Sequence, residues 1–452
     1  MRKRILICFL SICFVFLPLT SFAAGEDVRA LFADGSYPYA DALYENNAVA
    51  ESAKLTFRYL ISEQASAENT PVIGCKAAYV ADPVTGKVFY EKNAHETRFP
   101  ASTTKLLTAL LVLGNCAMDE TAVVSANAVG MVPDGYVRAD LRAGETFTVG
   151  TLLHALLIPS ANDAAFVLAE HVGGSVEAFA GLCNRRAKEL GCETLHFVNP
   201  NGIHNDDHYC SAYDLYLIAR ECQKYDVFNQ IVRTKSFTVP ATEIYPYDDR
   251  VCKNTNELLF EGSYYVPYCT GMKTGYTPEA GECLVASGTK DDLNLITVVL
   301  GGTEADGINE RFSDTKKLLE FVYGNYAFKL IADKSQPLCE VIVKNAVTKQ
   351  EVLEVLIGTD IYTVVPNEIT PSSVNVQDNL SQDIEAPIVK NQVLGTVIYR
   401  ADGLVYETNL IAGSDVARKP FWLYNTLVAL GGFLLIFAVV LFVKKRKTTG
   451  RQ

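Results

Sequence analysis

A serine and a lysine stand three residues apart in the stretch FPASTTKLLTALL, which runs from Phe99 to Leu111. Residues at i and i+3 share one face of a helix, so the side chains of Ser102 and Lys105 can meet. A serine hydroxyl is a weak nucleophile at neutral pH, and a desolvated lysine with a lowered pKa can act as its base. The spacing predicts a nucleophile and its general base at the start of an apolar helix. The structural alternative is that Ser102 caps this helix and Lys105 extends to water.

Two further motifs follow along the chain, Ser160-Ala161-Asn162 and Lys273-Thr274-Gly275. The order S-x-x-K, S-x-N, K-T-G is typical of serine enzymes that react with penicillin. The chain therefore resembles the penicillin-binding proteins, and among them the low-molecular-mass D-alanyl-D-alanine carboxypeptidases of the peptidase S11 type. The similarity extends over longer stretches, namely DPVTGKVFYEKNAHETRFPASTTKLLTALLVL, LLHALLIPSANDAAFVLAEHVGG, NPNGIHNDDHYCSAYDLYLIAR and MKTGYTPEAGECLVASGTK. The later APIVKNQVLGTVIY is similar to the C-terminal domain of that family.

The resemblance implies a catalytic role for several of these residues. Ser102 would attack the carbonyl carbon of the penultimate D-alanine in a peptidoglycan stem peptide, and Lys105 would accept its proton. Ser160 would pass a proton to the leaving D-alanine. The backbone N–H groups of Ser102 and Tyr276 would stabilise the oxyanion. A β-lactam would inhibit the enzyme by acylating the same serine.

The resemblance also implies how the substrate is bound. Asn162 would hold a peptide amide of the substrate, and Lys273 and Thr274 would bind its terminal carboxylate through charge-assisted contacts. Gly275 would let the strand backbone approach the substrate closely. The family's reaction requires no cofactor and no metal.

The elements that position these residues follow from turn residues and hydrophobic periodicity. Residues 76–93 are typical of a β-hairpin, and one helix is predicted to end at Leu157 before a turn that carries Ser160. Another helix is predicted from about 176 to 190, and residues 264–302 alternate β-rich runs with turns. Helices enclosed by strands from both ends predict an α+β fold, an antiparallel sheet with a helical cluster as in the penicillin-binding and β-lactamase-like transpeptidase domain.

Both ends of the chain carry targeting signals. Basic residues, an apolar run and the small-residue site Ser21-Phe22-Ala23 predict a signal peptide, and residues 421–443 are 23 residues without a charge. The basic residues that follow predict a cytoplasmic tail, which places the rest on the extracytoplasmic face of the cell membrane. The predicted order is signal peptide (1–23), N-terminal extension (24–70), carboxypeptidase domain (71–330), small all-β domain (331–416), transmembrane helix (421–443) and tail (444–452).

The net charge, the cysteines and the histidines limit which other functions the chain could have. The formal net charge is −12, and the external part is more acidic still, which argues against a nucleic-acid partner. Of the 12 cysteines, Cys8 and Cys13 lie in the predicted signal, and the others could pair in a connectivity that the spacing does not reveal. His204 and His208 have H-x-x-x-H spacing without a helical pattern, which favours loop structure over a zinc site.

Three other functions use part of the same pattern. A class A β-lactamase would carry Ser-Asp-Asn and a downstream Glu-x-x-Leu-Asn, and the nearest stretch here, CETLHFVNP, lacks that pattern. A membrane-bound β-lactam sensor would need a signalling output, and only nine residues follow Val443. An inactive scaffold conflicts with the intact motif residues. Within the family, hydrolysis, transpeptidation and cleavage of cross-links share these motifs, so the sequence does not separate them.

Overall fold

The computed structural model describes residues 56–59 and 70–449, which form two folded units followed by a long helix. The predicted signal peptide and most of the predicted N-terminal extension lie outside the described residues.

The first unit combines a main five-stranded sheet and short two-stranded sheets with a cluster of helices. The first described strand of the chain, β1 (Thr56–Tyr59), pairs with the second unit. The strands of the first unit are β2 (Ala77–Ala81), β3 (Val88–Lys92), β4 (Thr121–Val123), β5 (Thr146–Thr148), β6 (Ser236–Thr238), β7 (Val251–Lys253), β8 (Cys269–Thr277), β9 (Gly281–Lys290), β10 (Leu293–Gly302), β11 (Glu304–Ala305) and β12 (Ile308–Asn309). The helices are α1 (Lys105–Asn115), α2 (Ala126–Gly130), α3 (Val149–Leu157), α4 (Asn162–Gly173), α5 (Val176–Glu189), α6 (Ala212–Cys222), α7 (Asp226–Arg233) and α8 (Glu310–Asn325).

The main sheet has the order β3-β2-β10-β9-β8, and each neighbouring pair is antiparallel. Every residue of β10 is buried, because the strand has a helical layer on each face. Ile296 and Val298 pack with α1 and its neighbouring helices, whereas Leu295 and Val299 pack with α8. This alternation is the two-residue period of a strand between two apolar layers. The predicted α+β class, with its hairpin and antiparallel meander, is confirmed.

The break between α3 and α4 lies where the sequence places it. The helix α3 ends at Leu157, and α4 begins at Asn162, so Ser160 lies on the connecting turn. Gly174 ends α4 with φ of 76°, and the next helix α5 ends two residues before Gly191. Glycines end these helices because glycine adopts a left-handed backbone conformation at little energetic cost.

The second unit is built of strands. They are β13 (Tyr326–Ala332), β14 (Cys339–Ile342), β15 (Val352–Ile357), β16 (Ile361–Pro366), β17 (Asn375–Leu380), β18 (Val393–Ala401) and β19 (Leu404–Ala412). The larger sheet has the order β14-β15-β19-β18-β17, and β13 pairs with β16. From the predicted extension, β1 pairs with β19 in the register Thr56 to Glu407. The predicted C-terminal β-domain is confirmed, and it gains one strand from the N-terminal side.

A single long helix, α9 (Phe421–Thr449), follows the β-domain. Its segment Asn425–Phe442 has a mean hydropathy of 2.4 and is not buried against the rest of the chain. A helix of this length and composition is sufficient to cross the hydrocarbon core of a bilayer.

Candidate active site

Ser102 lies on a tight turn directly before α1. The sequence predicts that the α-helix begins at Ser102, but residues Ala101–Thr104 form a 3-10 turn and the α-helix begins at Lys105. The difference has a local cause, because Ala101 has a left-handed φ of 47° and its carbonyl accepts a 2.8 Å hydrogen bond from Thr104 Oγ1. The turn presents Ser102 to a cleft while α1 packs into the core.

Lys105 is fully buried, so the alternative in which it extends to water is wrong. Its Nζ lies 2.9 Å from Ser102 Oγ, 3.0 Å from Asn162 Oδ1 and 2.9 Å from the carbonyl oxygen of Asn201. A neutral amine has two N–H groups and one lone pair. The two amide oxygens can only accept, so they take both N–H groups and leave the lone pair for the hydroxyl of Ser102.

The electrostatic surroundings favour this neutral amine. Burial lowers the pKa of Lys105 well below its usual range, and the nearby charge of Lys273 lowers it further. The carboxylate of Asp163 acts in the opposite direction but is the smallest of the three effects on this pKa. A lysine in this state can accept a proton from a hydroxyl, as a general base must.

The turn between α3 and α4 forms the second side of the site. Ser160 lines the cleft and has a φ of 70°, a strained value for a serine that only a well-packed surrounding maintains. Asn162 Nδ2 donates a 3.0 Å hydrogen bond to the carbonyl of Val137 on the cleft rim. Asp163 accepts hydrogen bonds from the backbone N–H groups of Ala139 and Leu141. The rim and the S-x-N turn are therefore held together.

The strand β8 forms the third side. Lys273 is fully buried and donates a 3.0 Å hydrogen bond to the carbonyl of Thr274. Burial and, to a lesser extent, the charge of Arg311 lower the pKa of Lys273 to about 7. Thr274 Oγ1 lies 2.5 Å from the hydroxyl of Thr255 and faces the same cleft as Ser102.

Gly275 is required by the close approach of β8 to the turn that carries Ser102. A Cβ at this position would lie 2.9 Å from the backbone nitrogen of Ser102 and 3.0 Å from the carbonyl of Pro100. Any other residue would push the strand and the Ser102 turn apart. The glycine therefore serves the approach of one backbone to another within the protein, in addition to the predicted approach to a substrate.

These residues border a cleft of about 410 Å³. Of the residues singled out from the sequence, the structure brings to its surface Ser102, Ser160, Asn162, Thr274, Gly275 and Tyr276. Lys105 and Lys273 are buried behind the wall, where they contact Ser102 and Thr274. The chemical groups of the three motifs, which are distant in sequence, thus meet in one place.

The histidine pair predicted to be structural has packing partners. His208 is buried, its Nε2 lies 2.8 Å from Thr104 Oγ1, and its Nδ1 accepts a 3.1 Å hydrogen bond from the N–H of Val198. Through Nε2 His208 contacts the turn that carries Ser102, and through Nδ1 it is fixed to the backbone at Val198. His204 packs edge-on against Phe99, with ring centroids 4.7 Å apart. The described cysteines, from Cys75 to Cys339, are all unpaired thiols.

Sequence reasoning missed two contributors to the site. The carbonyl of Asn201 contacts Lys105, and the Asn201-Gly202 dipeptide is a turn signal that could have drawn attention to it. Arg311, near the start of α8, lines the cleft and donates a 3.3 Å hydrogen bond to the carbonyl of Gly275. No local pattern around Arg311 indicates this position, because only the packing of α8 beside β8 brings it there.

The family of the chain follows from comparison with known proteins. A family model described as D-alanyl-D-alanine carboxypeptidase, Peptidase_S11, matches residues 64–304, and one for the C-terminal domain of penicillin-binding protein 5 matches residues 328–418. The chain belongs to the D-alanyl-D-alanine carboxypeptidase family. The predicted family, fold and class of enzyme are confirmed.

Similar members of this carboxypeptidase family come from several bacteria. The D-alanyl-D-alanine carboxypeptidase DacF of Bacillus subtilis is 32% identical, over 76% of this chain and 86% of its own length. DacA of Escherichia coli K12 is 30% identical, over 78% of this chain and 86% of its own. The crystal structure of penicillin binding protein 5 from Haemophilus influenzae matches with a TM-score of 0.59 and 26% identity, covering 77% of this chain and 99% of that one.

Proposed function

We propose that this carboxypeptidase removes the terminal D-alanine of peptidoglycan stem peptides through an acyl-enzyme on Ser102. The observation that carries this proposal is the contact of 2.9 Å between Ser102 Oγ and the Nζ of the fully buried Lys105. A neutral lysine at this distance is a base for the serine hydroxyl, and the hydroxyl lines a cleft large enough for a peptide end.

In the acylation step, Ser102 Oγ forms a bond to the carbonyl carbon of the penultimate D-alanine, and its proton moves to Lys105 Nζ. The oxyanion accepts hydrogen bonds from the backbone N–H groups of Ser102 and Tyr276, each worth about 3 kcal/mol in such a site. The C–N bond then breaks, and Ser160 passes a proton to the departing amine of D-alanine. Water hydrolyses the ester and regenerates Ser102.

Binding of the substrate uses the polar groups that surround this centre. Asn162 holds a peptide amide, while Thr274 and the cation of Lys273 attract the terminal carboxylate. Lys273 keeps part of its positive charge near neutral pH, because its pKa is lowered only to about 7. A β-lactam presents a carboxylate and a strained amide in a similar arrangement, so it acylates Ser102 and is released slowly.

The location of the reaction is also part of the proposal. We propose that the helix α9 anchors the protein as a single-pass segment, with the basic tail in the cytoplasm and both folded units on the extracytoplasmic face. The extent of its apolar segment, Asn425–Phe442, supports this arrangement. Digestion of right-side-out membrane vesicles with an added protease should remove the folded units and leave the tail protected.

The activity is tested with the full-length protein in detergent, as wild type and as Ser102→Ala. Each is incubated with a stem pentapeptide ending in D-Ala-D-Ala and, separately, with a fluorescent penicillin. Release of D-alanine and labelling by the wild type alone support the proposal. Labelling without release would indicate a β-lactam sensor, rapid turnover of penicillin would indicate a β-lactamase, and activity in Ser102→Ala would overturn the assignment of the nucleophile.

A further inference from the structure

A second cavity of about 570 Å³ adjoins the catalytic cleft. The two share a wall, because Tyr276 and Arg311 line both of them. On the far side of this wall, the second cavity is bordered by Glu282, Thr303 and Glu304. It therefore continues from the part of the catalytic cleft that Tyr276 and Arg311 line.

The two carboxylates that line this cavity differ in whether a cation pairs with them. Glu282 on β9 lies directly opposite Tyr276 on β8, is buried, and has its Oε2 2.5 Å from Arg311 Nη1. Arg311 thus neutralises Glu282. Glu304 accepts a 3.0 Å hydrogen bond from Asn309 Nδ2, and within the described residues no lysine, arginine or histidine forms an ion pair with it. The cavity has one carboxylate whose charge is not compensated.

The terminal residue of a bound peptide determines what enters this cavity. D-alanine has only a methyl group on its α-carbon, which fills a small part of about 570 Å³. A longer side chain that entered the second cavity would meet Arg311 and Glu304 in its lining. Glu304 is exposed, so a cation at the end of that side chain would gain a screened attraction to its carboxylate, whereas an apolar side chain of the same length would gain none.

We propose that the cavity beside Arg311 is a subsite for a cationic side chain on the leaving residue, with Glu304 as its specificity-determining group. The inference rests on the proposed function, and it extends the substrate class to peptides ending in D-Ala followed by a basic D-amino acid. The chemistry does not change: the ester forms on Ser102, and the released product is the basic D-amino acid in place of D-alanine.

The test compares three stem pentapeptides that differ only in the last residue, D-alanine, D-lysine or D-norleucine. D-norleucine has the carbon chain of lysine without its amine, so the ratio of kcat/KM for D-lysine over D-norleucine isolates the charge. With the full-length wild type in detergent at low salt, we expect a ratio of up to about five, the upper value for an exposed ion pair, because Glu304 is exposed. The ratio should fall as salt is added.

Substitutions at Glu304 decide the assignment. Glu304→Gln should reduce the ratio to about one, and Glu304→Lys should bring it below one, while Glu340→Gln on the distant β14 should leave it unchanged. A wild-type ratio near one, or a ratio that persists in Glu304→Gln, overturns the inference while release of D-alanine still supports the proposed function. Failure to release any of the three residues overturns the proposed function and this inference together.

Discussion

Lys105 and Lys273 are two fully buried lysines in one site, and the charge of Lys273 lowers the pKa of Lys105. Two cations rarely share a buried site, because each disfavours the charged form of the other in addition to the cost of desolvation. Here the repulsion has a use, since it favours the neutral form of the lysine beside Ser102. The lysine beside Thr274, whose pKa is lowered only to about 7, retains charge for a carboxylate.

Removal of the charge at Lys273 should therefore change the pH dependence of acylation. In Lys273→Met the pKa of Lys105 rises, so a smaller fraction of Lys105 is neutral and the acidic limb of the rate profile moves to higher pH. Lys273→Arg keeps the charge and should keep the limb in place, even if both variants react more slowly. The rate constant for labelling by a fluorescent penicillin between pH 5 and 9 measures this, and an unmoved limb in Lys273→Met would contradict the coupling.

His208 should make the protein less stable in acid. Burial lowers the pKa of His208 to about 3 from its ordinary 6.5, so the folded state binds fewer protons than the unfolded state in this interval. The associated stability is fully present above pH 6.5 and is lost as the pH falls toward 3. Between pH 6.5 and 5, the free energy of unfolding should fall by about 2 kcal/mol more in wild type than in His208→Gln.

Urea unfolding at the two pH values measures this difference. His95→Gln is the matched control, because the side chain of His95 is 50% exposed. Between pH 6.5 and 5, the His95→Gln variant should lose as much unfolding free energy as wild type. If wild type and His208→Gln lose the same unfolding free energy between the two pH values, His208 does not titrate as its burial indicates.

Gly202 should not tolerate a side chain. It has a φ of 82°, and a Cβ there would lie 1.8 Å from the carbonyl oxygen of Ala101, on the turn that carries Ser102. Gly86 has a similar φ of 73° with no atom within 4 Å of such a Cβ, so it isolates the backbone strain. Each alanine substitution should cost about 1–2 kcal/mol of strain. Only Gly202→Ala should also slow acylation of Ser102, by about a hundredfold, because its clash displaces the turn.

Penicillin labelling and thermal unfolding of both variants provide the measurement. Similar labelling rates for Gly202→Ala and Gly86→Ala would mean that the turn adjusts without loss of reactivity. A slow rate in both would assign the effect to backbone strain alone.

Asp163 should be a positioning residue for the cleft rim. Its carboxylate accepts backbone hydrogen bonds from Ala139 and Leu141, and Asp163→Ala leaves these buried donors without a partner. The free energy of unfolding should fall by about 3 kcal/mol. Amide hydrogen exchange should accelerate around residues 137–141, whereas the exposed Asp119→Ala should change neither quantity. Unchanged exchange at the rim in Asp163→Ala would contradict this role.

The sequence could predict the parts of the site that depend on local geometry. The i, i+3 spacing of Ser102 and Lys105 anticipates their contact, and the turn residues anticipate the break that carries Ser160. The meeting of the three motifs was not derivable from spacing and followed only from the family resemblance. Burial of Lys105 was an expectation from chemistry, because a lysine that must be neutral needs a low-dielectric site.

The remaining features depend on contacts between distant segments. The carbonyl of Asn201 reaches Lys105 from 96 positions along the chain, and a backbone acceptor leaves no mark in residue type. Arg311 reaches the cleft only through the packing of α8, and β1 joins β19 across most of the chain. Periodicity specifies a face of a helix or strand, but it does not specify which distant partner that face will meet.

The central claim is that Ser102 carries the acyl group. Its most direct test is peptide mapping by mass spectrometry after brief incubation of the full-length protein with benzylpenicillin. We predict one adduct with the mass of an opened penicillin, confined to the peptide that contains Ser102 and absent from Ser102→Ala, which should also release no D-alanine. An adduct on any other residue, or release of D-alanine by Ser102→Ala, would contradict the account.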